Sequence, residues 1–325
     1  MHNRNEYKHI SVLLQESVDG LNIKANGTYI DGTYGFGGHS KLILSKLNKN
    51  GKLIAIDRDP YAVAYAKKSI FDKRFSIKCI TFSQLESLIK RKKLIGKING
   101  ILLDLGISSM QLDNPNRGFS FIHDGPLDMR MNPTIGQSAY EWLIKATENE
   151  IFWVLKTYGE ERFAKKIAKT IVLNKKNFKQ NELQSTTKLA NLIKTIIPYK
   201  KNNKHPATKT FQAIRIHINN ELEEINVVLK SSLKLLAPLG RLSIISFHSL
   251  EDRIVKQFIR LHSSKQNIHR SSATSQIESQ YFNIPILKML GKKKPTKTEI
   301  INNPRARSAI VRFAEIINIY DHKKI

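Results

Sequence analysis

Two hydrophobic periods alternate along the first hundred residues. Short runs rich in β-formers lie at 28–30, 52–56, 75–82 and 101–105. Between them apolar positions recur every three or four residues: Leu42, Ile43 and Leu47, then Ala62, Val63 and Ala66, then the stretch 83–95. Unbroken apolar strands alternating with amphipathic helices predict a parallel sheet covered on both faces. Residues 7–24, with His9, Val12, Leu13, Leu14 and Val18, form an amphipathic lead-in. From 110 to 133 the alternation gives way to Gly, Pro, Asn and Asp, the composition of a long ordered loop. Residues 138–197 then read as helical throughout, in stretches at 141–146, 151–155, 163–172 and 183–197. A basic link at 200–204 follows, and the α/β pattern resumes with a helix over 211–236, a strand at 241–247 and a helix at 251–261. Residues 262–283 are rich in Ser, Gln and Asn and read as a mobile loop; runs at 284–290 and 308–317 would close the sheet as an antiparallel pair. The expected fold is α/β, a Rossmann-like sheet over 1–109 and 206–325, interrupted at 110–205 by a loop and an all-helical insertion.

Size and composition narrow the class. A chain of 325 residues suggests about two domains, with 41% hydrophobic and 8% aromatic content ordinary for a globular protein. No run approaches the roughly 18–20 apolar residues of a membrane span. Residues 1–6 lack the apolar core of a signal peptide, so a cytoplasmic location is expected. Cys79 is the one cysteine, which excludes an internal disulfide and a cysteine metal cluster; a small buried side chain is its expected role. Charge changes the picture most: 54 Lys and Arg against 27 Asp and Glu give a formal +27. That excess predicts a polyanionic partner and salt-sensitive binding. Drift toward Lys, Ile and Asn under AT-rich coding is the alternative source of some lysines. A basic membrane-surface role lacks the amphipathic aromatic helix it needs.

Candidate chemistry concentrates where the first strand ends. Thr28, Tyr29 and Ile30 lead to Asp31, and five of the next eight residues bend tightly or lack bulk: Gly32, Thr33, Gly35, Gly37 and Gly38. Strand, glycine turn and helix let backbone approach a nucleotide-like ligand at the carboxyl end of a strand. Asp57 closes the second strand twenty positions after Gly37, the spacing of an acid that accepts hydrogen bonds from a ribose. A helix cap is its other reading, but Asp59 before Pro60 suits that role better. The glycines run Gly35-x-Gly37-Gly38 behind Asp31, a variant of the acid-first turn of methyltransferases and not the G-x-G-x-x-G of dinucleotide folds. Asp31 would then face the cationic methionine end of S-adenosylmethionine. Asp104, at the tip of the fourth strand, is the next element over the pocket, or else a cap or loop acid. A nicotinamide-dependent oxidoreductase is opposed by both glycine spacing and charge.

Longer segments make the resemblance specific. Leu-Asp-Leu-Gly-Ile-Ser-Ser at 103–109 and Ser-Phe-His-Ser-Leu-Glu-Asp-Arg at 246–253 are long and unusual. With the wider stretches 100–113 and 240–256 around them, and with 29–40, 53–60, 117–131, 153–168, 205–216, 221–224 and 303–308, they resemble the bacterial 16S ribosomal RNA cytosine-N4 methyltransferase family nearly end to end. The resemblance implies a class I S-adenosylmethionine-dependent methyltransferase that acts on the exocyclic N4 of one cytidine in small-subunit ribosomal RNA. Carried over by position, cofactor contacts fall on Gly37, Gly38, His39, Asp57, Phe82, Asp104 and Gln111. The glycines would admit the methionine part, Asp57 the ribose hydroxyls, Phe82 the adenine face, and Gln111 the polar end. His39 at a helix start also reads as a cap, and Phe82 as core. Phe36 departs from the family, where Arg is expected, and places in question a contact to substrate or cofactor carboxylate.

Cytosine N4 is a poor nucleophile because its lone pair is delocalised into the ring, so alignment of an in-line displacement is the main task, worth roughly 7–11 kcal/mol. An acceptor near N4 would help by drawing off an amino hydrogen. In place of the Asp/Asn/Ser-Pro-Pro-aromatic motif of many amino-methyltransferases the chain has residues 104–109, so Ser108, Ser109 and Asp128 are the candidates, with His248 a further one or a structural histidine. A target base must leave its stack, and aromatic and Arg side chains receive such bases. Arg117, Phe119, Phe121 and Arg130 lie in the loop where this would happen, Phe119 and Phe121 reading equally as loop core. Arg305 and Arg307 suit backbone phosphates. The lysine-rich insertion and Lys292–Lys294 suit diffuse electrostatic grip. No His/Cys/Asp spacing suggests a metal. The competing class is a ribosome-assembly factor that binds RNA and cofactor and acts mainly by binding.

Overall fold

The computed structural model describes residues 11–176, 183–198, 205–263 and 285–317. His9, the basic link at 200–204 and most of the polar stretch 262–283 lie outside the described residues. The chain divides into two compact units, Met1–Gly106 with Leu222–Ile325, and Ile107–Glu221. No described helix is long and apolar enough to cross a membrane.

The first unit is built on a seven-stranded sheet. Its strands are β1 (Thr28–Asp31), β2 (Lys52–Asp57), β3 (Phe75–Cys79), β4 (Ile98–Asp104), β5 (Leu236–Ser246), β6 (Leu287–Lys293) and β7 (Ile310–Ile316), in the order β3-β2-β1-β4-β5-β7-β6. β3, β2, β1, β4 and β5 run parallel, and β7 joins antiparallel to both β5 and β6. The expected closing pair therefore forms. The helices of this unit are α1 (Leu14–Gly20), α2 (Gly38–Lys46), α3 (Pro60–Ser69), α4 (Leu85–Arg91), α11 (Glu221–Leu235), α12 (Ser249–Ser263) and α13 (Lys297–Asn302). Ile30, Ile56, Ile101, Leu103, Leu242 and Ile244 pack into one core with Leu85, Val228 and Val255. On the other side Tyr29, Leu53 and Leu102 meet Val18, Ile43 and Leu44. Burial on both faces is why these strands read as unbroken apolar runs.

Three expectations shift. β3 is an edge strand, so Cys79 is exposed and not a buried core residue. The strand also stops at Cys79, and Phe82–Gln84 form a 3₁₀ turn leading into α4. β5 begins at Leu236, earlier than the apolar run suggests: Ile98 pairs with Leu236 but Gly100 with Arg241, and the extra residues bulge through Pro238 and Leu239, whose φ is 62°.

The second unit holds α5 (Ser109–Asp113), α6 (Ala139–Lys145), α7 (Glu148–Gly159), α8 (Ala164–Lys176), α9 (Thr186–Ile196) and α10 (Thr208–Asn219). The expected single helix over 211–236 is in fact two: Asn220 takes a left-handed φ of 54° between α10 and α11, and α10 belongs to this unit. The unit has its own apolar core, including Trp142, Leu143, Ile151, Leu155, Ile167, Leu189 and Phe211. Ser138 with Glu141 and Thr147 with Glu150 form reciprocal capping boxes that start α6 and α7. The Gly/Pro-rich segment before α6 is pinned throughout. Thr186 donates its amide to Gly125 O at 2.9 Å, and the Asn219 side chain donates to Met129 O at 2.7 Å and accepts from Met131 N at 2.8 Å.

Candidate active site

Strand order reverses between β1 and β4, since β2 and β3 lie to one side and β4 and β5 to the other. Ligands of open α/β sheets bind outside the carboxyl ends of strands at such a point. Three carboxylates stand there in the first unit: Asp31, Asp57 and Asp104, the last residues of β1, β2 and β4.

Each carboxylate is held differently. Asp31 is fully buried; it accepts from the Ser40 hydroxyl at 2.6 Å and from Thr33 N at 3.1 Å. Burial pushes its pKa up to about 6, against the pull of those two bonds. It braces the turn onto α2. Asp57 accepts from Gly35 N and from Asp59 N, both at 2.9 Å. Burial again dominates and raises it to about 6, with Asp59 and Asp31 adding repulsion. Each of its oxygens keeps a lone pair for a further donor. Asp59 caps α3 through Tyr61 N, the role expected of it. Asp104 anchors its backbone N–H on the Thr33 hydroxyl at 2.6 Å. Burial, then the charges of Asp31 and Glu251, hold its carboxyl well above the usual range. Among the described residues its buried Oδ1 accepts no hydrogen bond.

The turn explains its own composition. Gly35 and Gly37 have φ of 54° and 77°, and a Cβ on Gly37 would lie 2.5 Å from the Tyr34 hydroxyl. Gly37 caps α2 without a side chain, which leaves the first amides of that helix directed at the turn. His39 is buried in the first turn of α2, and its Nδ1 lies 3.8 Å from Asp104 Oδ2. Phe36, where the family suggests Arg, packs edge-on against Tyr65 with ring centroids 5.6 Å apart. Phe82 is half-buried, and its ring edge lies 3.4 Å from where a Cβ on Gly32 would stand, so it flanks the turn. His248 precedes α12, where it and Phe247 donate their amides to Glu251 Oε2, and its Nε2 lies 3.1 Å from Glu251 Oε1.

In the second unit the sequence candidates are largely occupied with holding the chain. Ser108 caps α5 in a reciprocal box: its hydroxyl accepts from Gln111 N and its own amide donates to Gln111 Oε1 at 3.0 Å. Gln111 is buried and Ser109 half-buried. Asp128 takes a bidentate grip from Arg130, at 2.9 and 2.7 Å, which ties down the oxygens a proton acceptor needs. Two of the loop candidates are buried. Arg117 donates to the carbonyls of Arg130 and Met131, at 3.0 and 2.8 Å, and so braces the loop from inside. Phe119 lies in the core of this unit, its ring 5.9 Å from the Arg117 guanidinium. Phe121 is half-buried against Phe211 and His205. Arg305 and Arg307, in the first unit, are both exposed on a 3₁₀ turn (Pro304–Ser308). Glu251 and Asn219 carry no signal of these roles in the sequence, and Thr33 reads there only as a small residue of the acid-first turn.

The donor set fits S-adenosylmethionine. Clustered carboxyls, one with an unsatisfied buried oxygen, favour a cationic ligand end, while a glycine turn, a ribose-spaced acid and a flanking aromatic ring suit its nucleoside.

The chain is similar over 95% of its length to a Clostridium thermocellum protein assigned as an rRNA methylase, at 12% identity, TM-score 0.44 and 100% coverage of that chain. An rRNA methylase from Streptococcus thermophilus gives 11% identity, TM-score 0.39 and coverage of 95% and 99% of the two chains. An S-adenosylmethionine-dependent O-methyltransferase from Thermotoga maritima gives 10% identity, TM-score 0.40 and coverage of 98% and 71%. The sequence pattern of the MraW methylase family matches residues 6–317. On that match the chain belongs to the MraW methylase family, and its cofactor is S-adenosylmethionine.

Proposed function

We propose that this chain methylates ribosomal RNA, and that its target is the exocyclic N4 of one cytidine in the 16S RNA of the small subunit. The observation that carries the reading is the family match over residues 6–317, which spans both compact units. The formal charge of +27 supports a polyanionic substrate. A cytoplasmic location follows from that substrate.

S-adenosylmethionine supplies an already activated methyl group. The chain's own residues then orient, exclude water and receive charge. In this reading Gly37 and Gly38 let backbone approach the methionine part, Asp57 accepts from the ribose hydroxyls, and Phe82 lies against the adenine. Asp104 offers its unsatisfied oxygen to a cationic group, with His39 beside it. Gln111 remains a cofactor contact by resemblance. For the N4 proton the candidates are Ser108, Ser109 and Asp128; Ser108 already accepts from Gln111 N, and Asp128 from Arg130. Division of labour between the units, with Ile107–Glu221 reading the substrate, completes the proposal.

The deciding experiment is transfer of labelled methyl from S-adenosylmethionine to small ribosomal subunits that lack the modification, followed by nucleoside analysis. Label appearing as N4-methylcytidine at one site is the expected result. Label on another nucleoside would overturn the target, and cofactor binding without transfer to any RNA would favour the assembly-factor reading.

A further inference from the structure

The far edge of the sheet in the first unit collects more cations than acids. Residues 285–317 hold eight basic side chains and two acidic ones. Both acids are already committed: Glu315 accepts from Arg241 at 2.7 Å, and Glu299 accepts from the Leu13 amide at 2.7 Å. Register sharpens the imbalance. Lys288 lies opposite Glu315, whose charge is met by Arg241 from β5. Lys292 lies opposite Arg312, a like-charge pair that costs stability unless one member is neutralised. Arg312 is neutralised, by a bidentate contact to Asp252 of α12 at 2.7 and 2.9 Å. Lys288, Lys292, Lys294 and Lys297 are exposed and form no ion pair among the described residues. Lys293 is also exposed, and its charge helps hold the Asp19 carboxyl below the usual range. Arg305 and Arg307 extend the strip beyond α13.

Lysines commonly guard exposed edge strands against pairing with another chain. Here the cations run past the strand into α13 and the following turn, where there is no ladder edge to guard. We infer that this strip, from β6 through residue 307, is a phosphate-tracking surface that grips the backbone of an RNA away from the reacting base, without reading its sequence. β6 lies three strands from β4, about 14 Å at ordinary strand spacing, so the grip is separate from the carboxylate cluster. The inference rests on the proposal that the substrate is RNA, and it adds a second, sequence-independent anchor to it.

The test replaces Lys288, Lys292, Lys294 and Lys297 together by Gln, and in a second protein by Arg. Affinity for a duplex RNA of unrelated sequence, and for small-subunit ribosomal RNA, is measured across a salt series. Every lysine withdrawn from a phosphate should reduce the slope of log K against log salt by roughly 0.9 on duplex RNA. The Gln protein is expected to lose about 3.6 from that slope and at least roughly tenfold in affinity. The Arg protein should keep both. Cofactor affinity should be unchanged in both, which distinguishes failure of the strip from failure of the methyltransferase reading. Unchanged slope and affinity in the Gln protein would overturn the inference, and self-association of that protein alone would assign the lysines to edge protection.

Discussion

At the scale of single residues, buried charge and backbone angle set the behaviour of the strand tips. Asp31 releases its proton near 3.8 in an unfolded chain but at about 6 when folded. The folded state therefore binds more protons between those values, and the stability this gives is complete below about 3.8 and lost as pH rises through 6. The difference is worth ~3 kcal/mol. Asp31→Asn should accordingly flatten the fall in denaturation midpoint between pH 4 and 7, as read by urea titrations across that range. Asp57 shares the shift, so cofactor affinity should rise with pH through about 6 if its carboxylate must be ionised to accept from the ribose. Calorimetry of binding at pH 5 and 8 checks this, and equal affinities would remove Asp57 from the ribose. Gly37→Ala places a Cβ 2.5 Å from the Tyr34 hydroxyl at a φ of 77°. It should cost about 1–3 kcal/mol and weaken cofactor binding. All three positions were legible in the sequence as a glycine turn with spaced acids. Their division of labour was not, because Asp31 and Asp57 differ only in which neighbouring donors reach them.

Elements were read well where they repeat and poorly where they end. Strands β1, β2 and β4 and helix α3 follow from apolar runs and an Asp-Pro start. The break at Asn220 between α10 and α11 is silent in the pattern, because apolar positions continue in phase on either side of it. The segment before α6 reads as a loop from its glycines and prolines, but its order comes from long-range bonds that no local window contains. Arg117 is the clearest case. As a cation beside aromatics it resembles a base-receiving residue, whereas its guanidinium satisfies two interior carbonyls. Arg117→Ala should leave those carbonyls unpaired and lower the stability of its unit by roughly 2–3 kcal/mol, seen in the denaturant midpoint. Arg312→Ala should cost a comparable ~2–4 kcal/mol by stranding Asp252, and Asp252→Asn in the same background should recover part of the loss.

For the whole molecule, two compact units with separate apolar cores predict that unfolding is not a single cooperative event. Scanning calorimetry should give a calorimetric enthalpy larger than the van't Hoff value, and equality of the two would make the chain one cooperative block. The sequence by itself determined the α/β class, the interruption of the sheet by helices, the acid-first glycine turn and the basic excess. These depend on hydrophobic period, turn chemistry and charge, all local or additive properties of the chain. Only the tertiary structure decided which carboxylates brace and which stay available, that Cys79 is exposed, that Arg117 and Phe119 are interior, and that the lysines of β6 share one edge with both nearby acids already taken. Those outcomes depend on which distant residues meet across the sheet and the helical core, and such meetings are what folding adds to a sequence.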